Sequence, residues 1–171
     1  MSTAASQKTI FSKILIAIDG SDASMDAAEY AVSISEQYNA ELLYALHVIH
    51  PADADLFGST GEMTTAAYNT IDMNKEAQKY LDKVKLKANE KNIQIKTEII
   101  ASTNTAGGIV DYAEDKDVDL IVVGTRGRSG FKKILLGSVA YKVVTYSHCP
   151  VMVVRYLYFT SNLSDNKIKK Q

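Results

Sequence analysis

The feature that most constrains this chain is an alternation of two rhythms. Lys13-Ile-Leu-Ile-Ala-Ile-Asp19, Glu41 to Val48, Asp119 to Val123 and Pro150 to Arg155 are short runs that are apolar at nearly every position, and Ile93, Ile95, Thr97 and Ile99 form an alternating run. A strand wetted on one face alternates apolar and polar residues, whereas a continuous apolar run reads as a strand covered on both faces, as in the middle of a parallel sheet. Between the runs the spacing changes to that of a helix. The N-cap cluster Ser21-Asp22-Ala23-Ser24 precedes Ala27, Ala31, Ile34 and Tyr38, which predicts a helix from Asp22 to Gln37. Ile71, Ala77, Leu81, Val84 and Ala88 mark a second, longer helix; Ala106 to Lys116 and Ser138 to Tyr146 predict a third and a fourth.

Five strands alternating with four helices predict an α/β fold: an open, doubly wound five-stranded parallel sheet, strand order 3-2-1-4-5, with helices on both faces. In that order strands one and four are neighbours. The loops after Asp19 and after Val123 then face each other across the crevice where such sheets bind ligands. The polar stretch from His50 to Gly61 is a further candidate for a ligand-side loop. Residues 1–10 read as an N-terminal tail, 11–155 as one domain and 156–171 as a C-terminal tail.

Composition narrows the function. The 171 residues carry a formal net charge of −1, so no basic face presents itself to a run of nucleic-acid phosphates, and nucleic acid is not an expected partner. The apolar runs are far shorter than the roughly 20 residues that cross a bilayer, so no membrane association is expected. A single cysteine, Cys149, cannot form an internal disulfide, and Met1 to Thr9 does not read as a secretory leader; the expected location is cytoplasmic.

The crevice should carry an anion site. Gly124, Gly127 and Gly130 follow a buried strand, and Gly137 precedes a helix that begins Ser138-Val139. Glycines let main-chain N–H groups point at phosphate oxygens, and a helix N-terminus adds free donors and a partial positive charge. Arg126, Arg128, Lys132 and Lys133 could offset phosphate charge. The bland alternative is a glycine-rich connector with a solvated basic face. Neither G-x-x-x-x-G-K-[ST] nor G-x-G-x-x-G occurs at Gly20 or Gly124, so the familiar phosphate loops do not fit.

The spacing Gly124-x-x-Gly127, nine residues, then Gly137-Ser138 resembles the signature of the ATP-binding branch of the universal stress protein family. The resemblance runs from Phe11 to Arg155 through Ile-Leu-Ile-Ala-Ile-Asp19-Gly-Ser, Leu46-His47-Val48, Asp119-Leu-Ile-Val-Val-Gly124 and Cys149-Pro-Val-Met-Val-Val. It implies the adenine nucleotide alpha hydrolase-like variety of the fold and a bound adenine nucleotide: ATP, or else AMP or ADP, with Mg2+ compatible with ATP. It further implies that Asp19 lies by the ribose or adenine and that Val48 meets adenine through its backbone. Gly124, Gly127, Gly137, Ser138 and Val139 would surround the phosphates and ribose, flanked by Val123 and Arg126. From the residues alone, Asp19 ends strand one as an acceptor; its bland alternative is a cap for the helix after Ser21. Two positions depart from the family pattern: Ala17 stands where some members have proline, and Ala140 where a second hydroxyl often follows Gly-Ser.

Other chemistry finds little support. His47 and His50 are three apart, on opposite faces if the strand continues, which disfavours a shared metal. No carboxylate pair, Ser-His-Asp or Cys-His arrangement can be placed at one end of the sheet, so at most slow ATP hydrolysis is expected, and no catalytic residue is assigned. A phosphoacceptor receiver domain is set aside, because the ends of strands three and five read Ile99-Ile100-Ala101 and Val153-Val154-Arg155. The resemblance implies a homodimer through Pro150 to Arg155, an apolar edge strand that needs a partner; the alternative cover is Tyr156 to Phe159. The expected role is a stress-response or signalling module whose protein partner the sequence does not name.

Overall fold

The computed structural model describes residues 10–50, 65–125 and 136–155, with only the backbone for 65–71. Its elements alternate strictly: β1 (Lys13–Ala17), α1 (Asp22–Tyr38), β2 (Leu42–Ile49), α2 (Thr65–Glu90), β3 (Ile95–Ala101), α3 (Thr105–Asp115), β4 (Leu120–Gly124), α4 (Ser138–Tyr146) and β5 (Val151–Val154). The strands form one sheet in the order β3-β2-β1-β4-β5, and every pairing is parallel. Sheet order and layering follow the expectation from sequence.

The two-faced apolar runs explain the layers. Successive strand residues point to opposite faces, so Ile14 and Ile16 pack on one side with Ala27, Ala31, Leu81 and Val84 from α1 and α2. Leu15 points the other way and packs with Leu46, Ile121, Ile109, Ala113 and Val143 beneath α3 and α4. Ile14, Leu15 and Ile16 are all fully buried, and each such side chain contributes about 1.5–3 kcal/mol relative to exposure. A charged substitution at any of the three would strip a layer of its centre.

Polar groups fix where the elements begin and end. The Asp119 carboxylate accepts from the N–H groups of Ser12 and Lys13 at 2.9 and 2.8 Å, which clamps the start of β1 to the start of β4. At its other end β1 stops two residues before the expected Asp19. The Ile18 N–H still donates to the Leu46 carbonyl at 2.8 Å, but the Asp19 N–H turns away to Ser24 Oγ, 3.3 Å distant. Gly20 then takes φ +81°, a left-handed conformation that suits glycine and starts the turn into α1. Of the expected ligand-side stretch His50 to Gly61, all but His50 lies outside the described residues.

Candidate functional site

The carboxyl ends of β1, β2 and β4 and the first turns of α1, α3 and α4 enclose one cleft. Reckoned out to open solvent its volume is about 710 Å³. It lies at the switch point, where α1 leaves one face of the sheet and α3 and α4 cover the other. Of the residues singled out from sequence, Ala17, Asp19, Val48, Val123, Gly124, Gly137, Ser138 and Val139 all line it. Arg126 and Gly127 lie outside the described residues.

The cleft has two unlike ends. On the β2 side Leu46, Val48 and Ile109 make an apolar slot, with Thr105 at the start of α3 as its polar rim. On the β4 side the wall is Gly124, Thr125, Gly137 and Ser138. Thr105, Ile109, Ser24, Leu46 and Thr125 were not singled out from sequence. Thr105 and Ile109 were within reach of it, because Asn104 is an N-cap residue type and its side chain does accept from the Gly107 N–H at 3.1 Å.

The glycines act differently from one another. A Cβ on Gly124 would stand 2.7 Å from both the carbonyl carbon and oxygen of Ala23 and 3.0 Å from the Ser24 nitrogen. These are backbone atoms that cannot swing aside, so glycine at 124 lets the first turn of α1 close against the end of β4. Gly137 caps α4 in an extended conformation (φ −69°, ψ 157°) and supplies no side-chain cap. Its N–H donates to the Thr125 carbonyl at 2.7 Å, while the Thr125 N–H donates to the Val154 carbonyl at 2.8 Å. That pair of bonds ties both ends of the 126–136 connection to the sheet.

Asp19 has a local partner whose existence sequence reasoning had weighed as the bland alternative. Its Oδ1 accepts from the Ser21 N–H at 3.0 Å and from the Ser21 hydroxyl at 2.6 Å. The Ser21 hydroxyl oxygen in turn caps α1 by accepting from the Ser24 N–H at 3.2 Å. Asp19 therefore braces the cap while one side of it borders the cleft.

Among the described residues, the reactive side chains outside the cleft gather into no second site. Cys149 is half-buried with its Sγ 3.5 Å from Ser147 Oγ, and burial pushes its thiol up, away from the thiolate that a nucleophile needs. His47 is buried within β2, and His50 is exposed just past its end. Among the described residues no group of three or more His, Cys, Asp or Glu gathers to hold a metal, and no helix is long and apolar enough to cross a membrane.

Fold and cleft define a doubly wound α/β protein with a crevice at its switch point. The model of the Universal stress protein family matches residues 11–155, and the chain belongs to that family. It is 42% identical over 151 residues to Universal stress protein YxiE of Bacillus subtilis, spanning 85% of this chain and 100% of that one. It is 39% identical over 150 residues to Universal stress protein MJ0531 of Methanocaldococcus jannaschii, spanning 86% and 84%. The solved structure of MJ0577 superposes with a TM-score of 0.74 at 28% identity, covering 86% of this chain and 98% of that one. Two further universal stress proteins of the same fold were solved as complexes. One holds cAMP (TM-score 0.61, 23% identity, 85% and 97% covered); the other, from Archaeoglobus fulgidus, holds dAMP (TM-score 0.60, 20% identity, 85% and 98% covered).

Proposed function

We propose that this chain binds an adenine nucleotide, with ATP the first choice over ADP and AMP, and that it works as a stress-response module in the cytoplasm. The observation that carries this reading is the two-ended cleft: an apolar slot of Leu46, Val48 and Ile109 on the β2 side, and on the β4 side a helix N-terminus behind glycines with no side-chain cap among the described residues. A purine is flat and apolar on its faces, which suits Leu46, Val48 and Ile109. A phosphate chain needs N–H donors and positive potential, which the start of α4 offers. At 23% and 20% identity the cAMP and dAMP complexes speak for the fold; the nucleotide reading rests on this chain's own cleft.

In this reading the base lies against Ala17 and the backbone of Val48, Asp19 accepts from a ribose hydroxyl, and Gly124, Gly137, Ser138 and Val139 meet ribose and phosphates, flanked by Val123. Arg126 and Gly127 belong to the same phosphate end, and Mg2+ would accompany ATP. The test is to denature freshly purified protein, separate the supernatant by anion exchange beside AMP, ADP and ATP, and count nucleotide per chain. Near-stoichiometric adenine nucleotide is the expected result. An empty supernatant together with an unchanged melting temperature in millimolar Mg-ATP would sink the reading, since a ligand bound only by the folded state must raise it.

We infer too that the chain forms a homodimer through the Pro150–Arg155 segment. β5 is an edge strand with Met152 37% exposed, and an apolar edge wants a partner strand. Sedimentation should give a dimer mass; a monomer at all concentrations would remove the proposal.

A further inference from the structure

We infer that Tyr80, on α2 and outside the cleft wall, is a positioning residue for Asp19. The inference rests on the nucleotide reading above, in which Asp19 accepts from the ribose. Asp19 is held by the turn that follows it: its Oδ1 takes two hydrogen bonds from Ser21, and Gly20 between them sits at φ +81°. That turn is backed from α2. A Cβ placed on Gly20 would clash with the Tyr80 ring, 2.8 Å from Cδ2 and closer still to Cε2 and Cζ. The ring therefore lies flush on the glycine, and the left-handed backbone has no room to relax toward α2.

Tyr80 is itself steadied. It is partly buried against the core under α1 and α2, and its hydroxyl donates to Glu76 Oε1 at 2.6 Å, one helical turn away. Packed interiors have low compressibility and transmit strain. A gap behind Gly20 would release the turn, and with it the direction of the Asp19 carboxylate. The packing at the slot and at the start of α4 would stay as it is, because Tyr80 packs in the α1–α2 layer and Leu46, Ile109 and Ala140 in the layer on the other face of the sheet.

This separation gives the test its readout. The full-length protein is titrated with ATP and with 2′,3′-dideoxy-ATP, which lacks both ribose hydroxyls. Wild type should prefer ATP by roughly tenfold or more, the scale of a hydrogen bond to a charged acceptor. Tyr80→Leu should reduce that preference to about twofold or less while leaving the dideoxy affinity within about twofold of wild type. Tyr80→Phe keeps the ring on Gly20, gives up the bond to Glu76, and should keep the preference. If Tyr80→Leu does not fold, Gly20→Ala serves, since its methyl displaces the ring and strains the turn, and it should lose the preference likewise.

A Tyr80→Leu protein that keeps the wild-type ratio while Asp19→Asn loses it would overturn the inference. Equal weakening of both nucleotides, the mark of a merely structural role, would overturn it too. So would a wild type that binds both nucleotides equally well, with the nucleotide reading intact. A wild type that binds neither removes that reading and the inference together.

Discussion

Helices α1 and α4 both start at the cleft, on opposite sides of the β1–β4 seam, and their first turns are finished in different ways. At α1 the Ser21 hydroxyl oxygen accepts from the Ser24 N–H, Ser24 Oγ bonds the Ser21 carbonyl at 2.9 Å and the Asp19 N–H, and Asp22 adds an acid to the first turn. Side chains at that end take up the Ser21 and Ser24 N–H groups, and Asp22 sets a negative charge against the positive end of the helix. At α4 the cap is Gly137, with no side-chain bond and no acid in the first turn. One terminus is closed by side chains of its own sequence; at the other, among the described residues, no side chain caps the helix, and the proposed reading gives that place to phosphate. A shared place in the topology thus gives two N-termini unequal capacity for an anion, and the difference is set by three or four side chains.

The comparison breaks most severely at the point where the two regions touch. Gly124→Val would drive a branched side chain into the Ala23 carbonyl and Ser24 nitrogen, so the α1 turn must move away from β4. The expected loss is about 3 kcal/mol, at the upper end for overpacking because the obstacle is backbone. Urea denaturation measures it. A loss below about 1 kcal/mol would show that the α1 turn is not held rigidly against β4 and would undercut its role as scaffold.

The scaffold itself is tested by Ser21→Ala, which removes the cap oxygen from α1 and one partner from Asp19. The expected cost is about 1 kcal/mol in the same denaturation experiment. The stabilisation conferred by saturating ATP should also shrink, because Asp19 loses the hydroxyl that steadies its carboxylate at 2.6 Å. If the protein is destabilised while ATP-linked stabilisation stays whole, the cap is scaffold alone and Asp19 is held by other means.

How far these features can be read from sequence depends on how local their causes are. β1, β2 and β4 were legible because burial on both faces leaves continuous apolar runs, and β3 because its apolar residues alternate. The start of α4 at Ser138 was legible because Gly137 ends the connection before a helical pattern. The end of β1 was misplaced by two residues for a physical reason: Ile18 continues the apolar pattern and still reaches Leu46, but the Asp19 N–H goes to Ser24. In the cleft, strand order alone brings the ends of β1 and β4 together, so Asp19 and Gly124 could be placed. Ile109 and Thr105 escaped because the β2 side was read from Val48 only. The Tyr80–Gly20 contact joins residues 60 positions apart through packing, and a single sequence carries no sign of it.

The smallest expected change in stability is also the one that bears most directly on the difference between the two helices. Gly137→Asp would give α4 the kind of cap that α1 already has, a side-chain oxygen for the first free N–H groups and a negative charge at the positive end. Glycine is a serviceable N-cap, so the gain for the nucleotide-free protein should be only about a few tenths of a kcal/mol. The response to ATP should move the other way. A carboxylate at position 137 would occupy the donors assigned to phosphate and repel the phosphate charge, so the rise in melting temperature with ATP should largely vanish. Adenosine, which has no phosphates, should bind the variant and wild type alike. An ATP response that survives Gly137→Asp unchanged would mean that the phosphates do not lie at the start of α4. The open N-terminus would then be an unfilled helix end like any other, and the contrast with α1 would be one of capping alone.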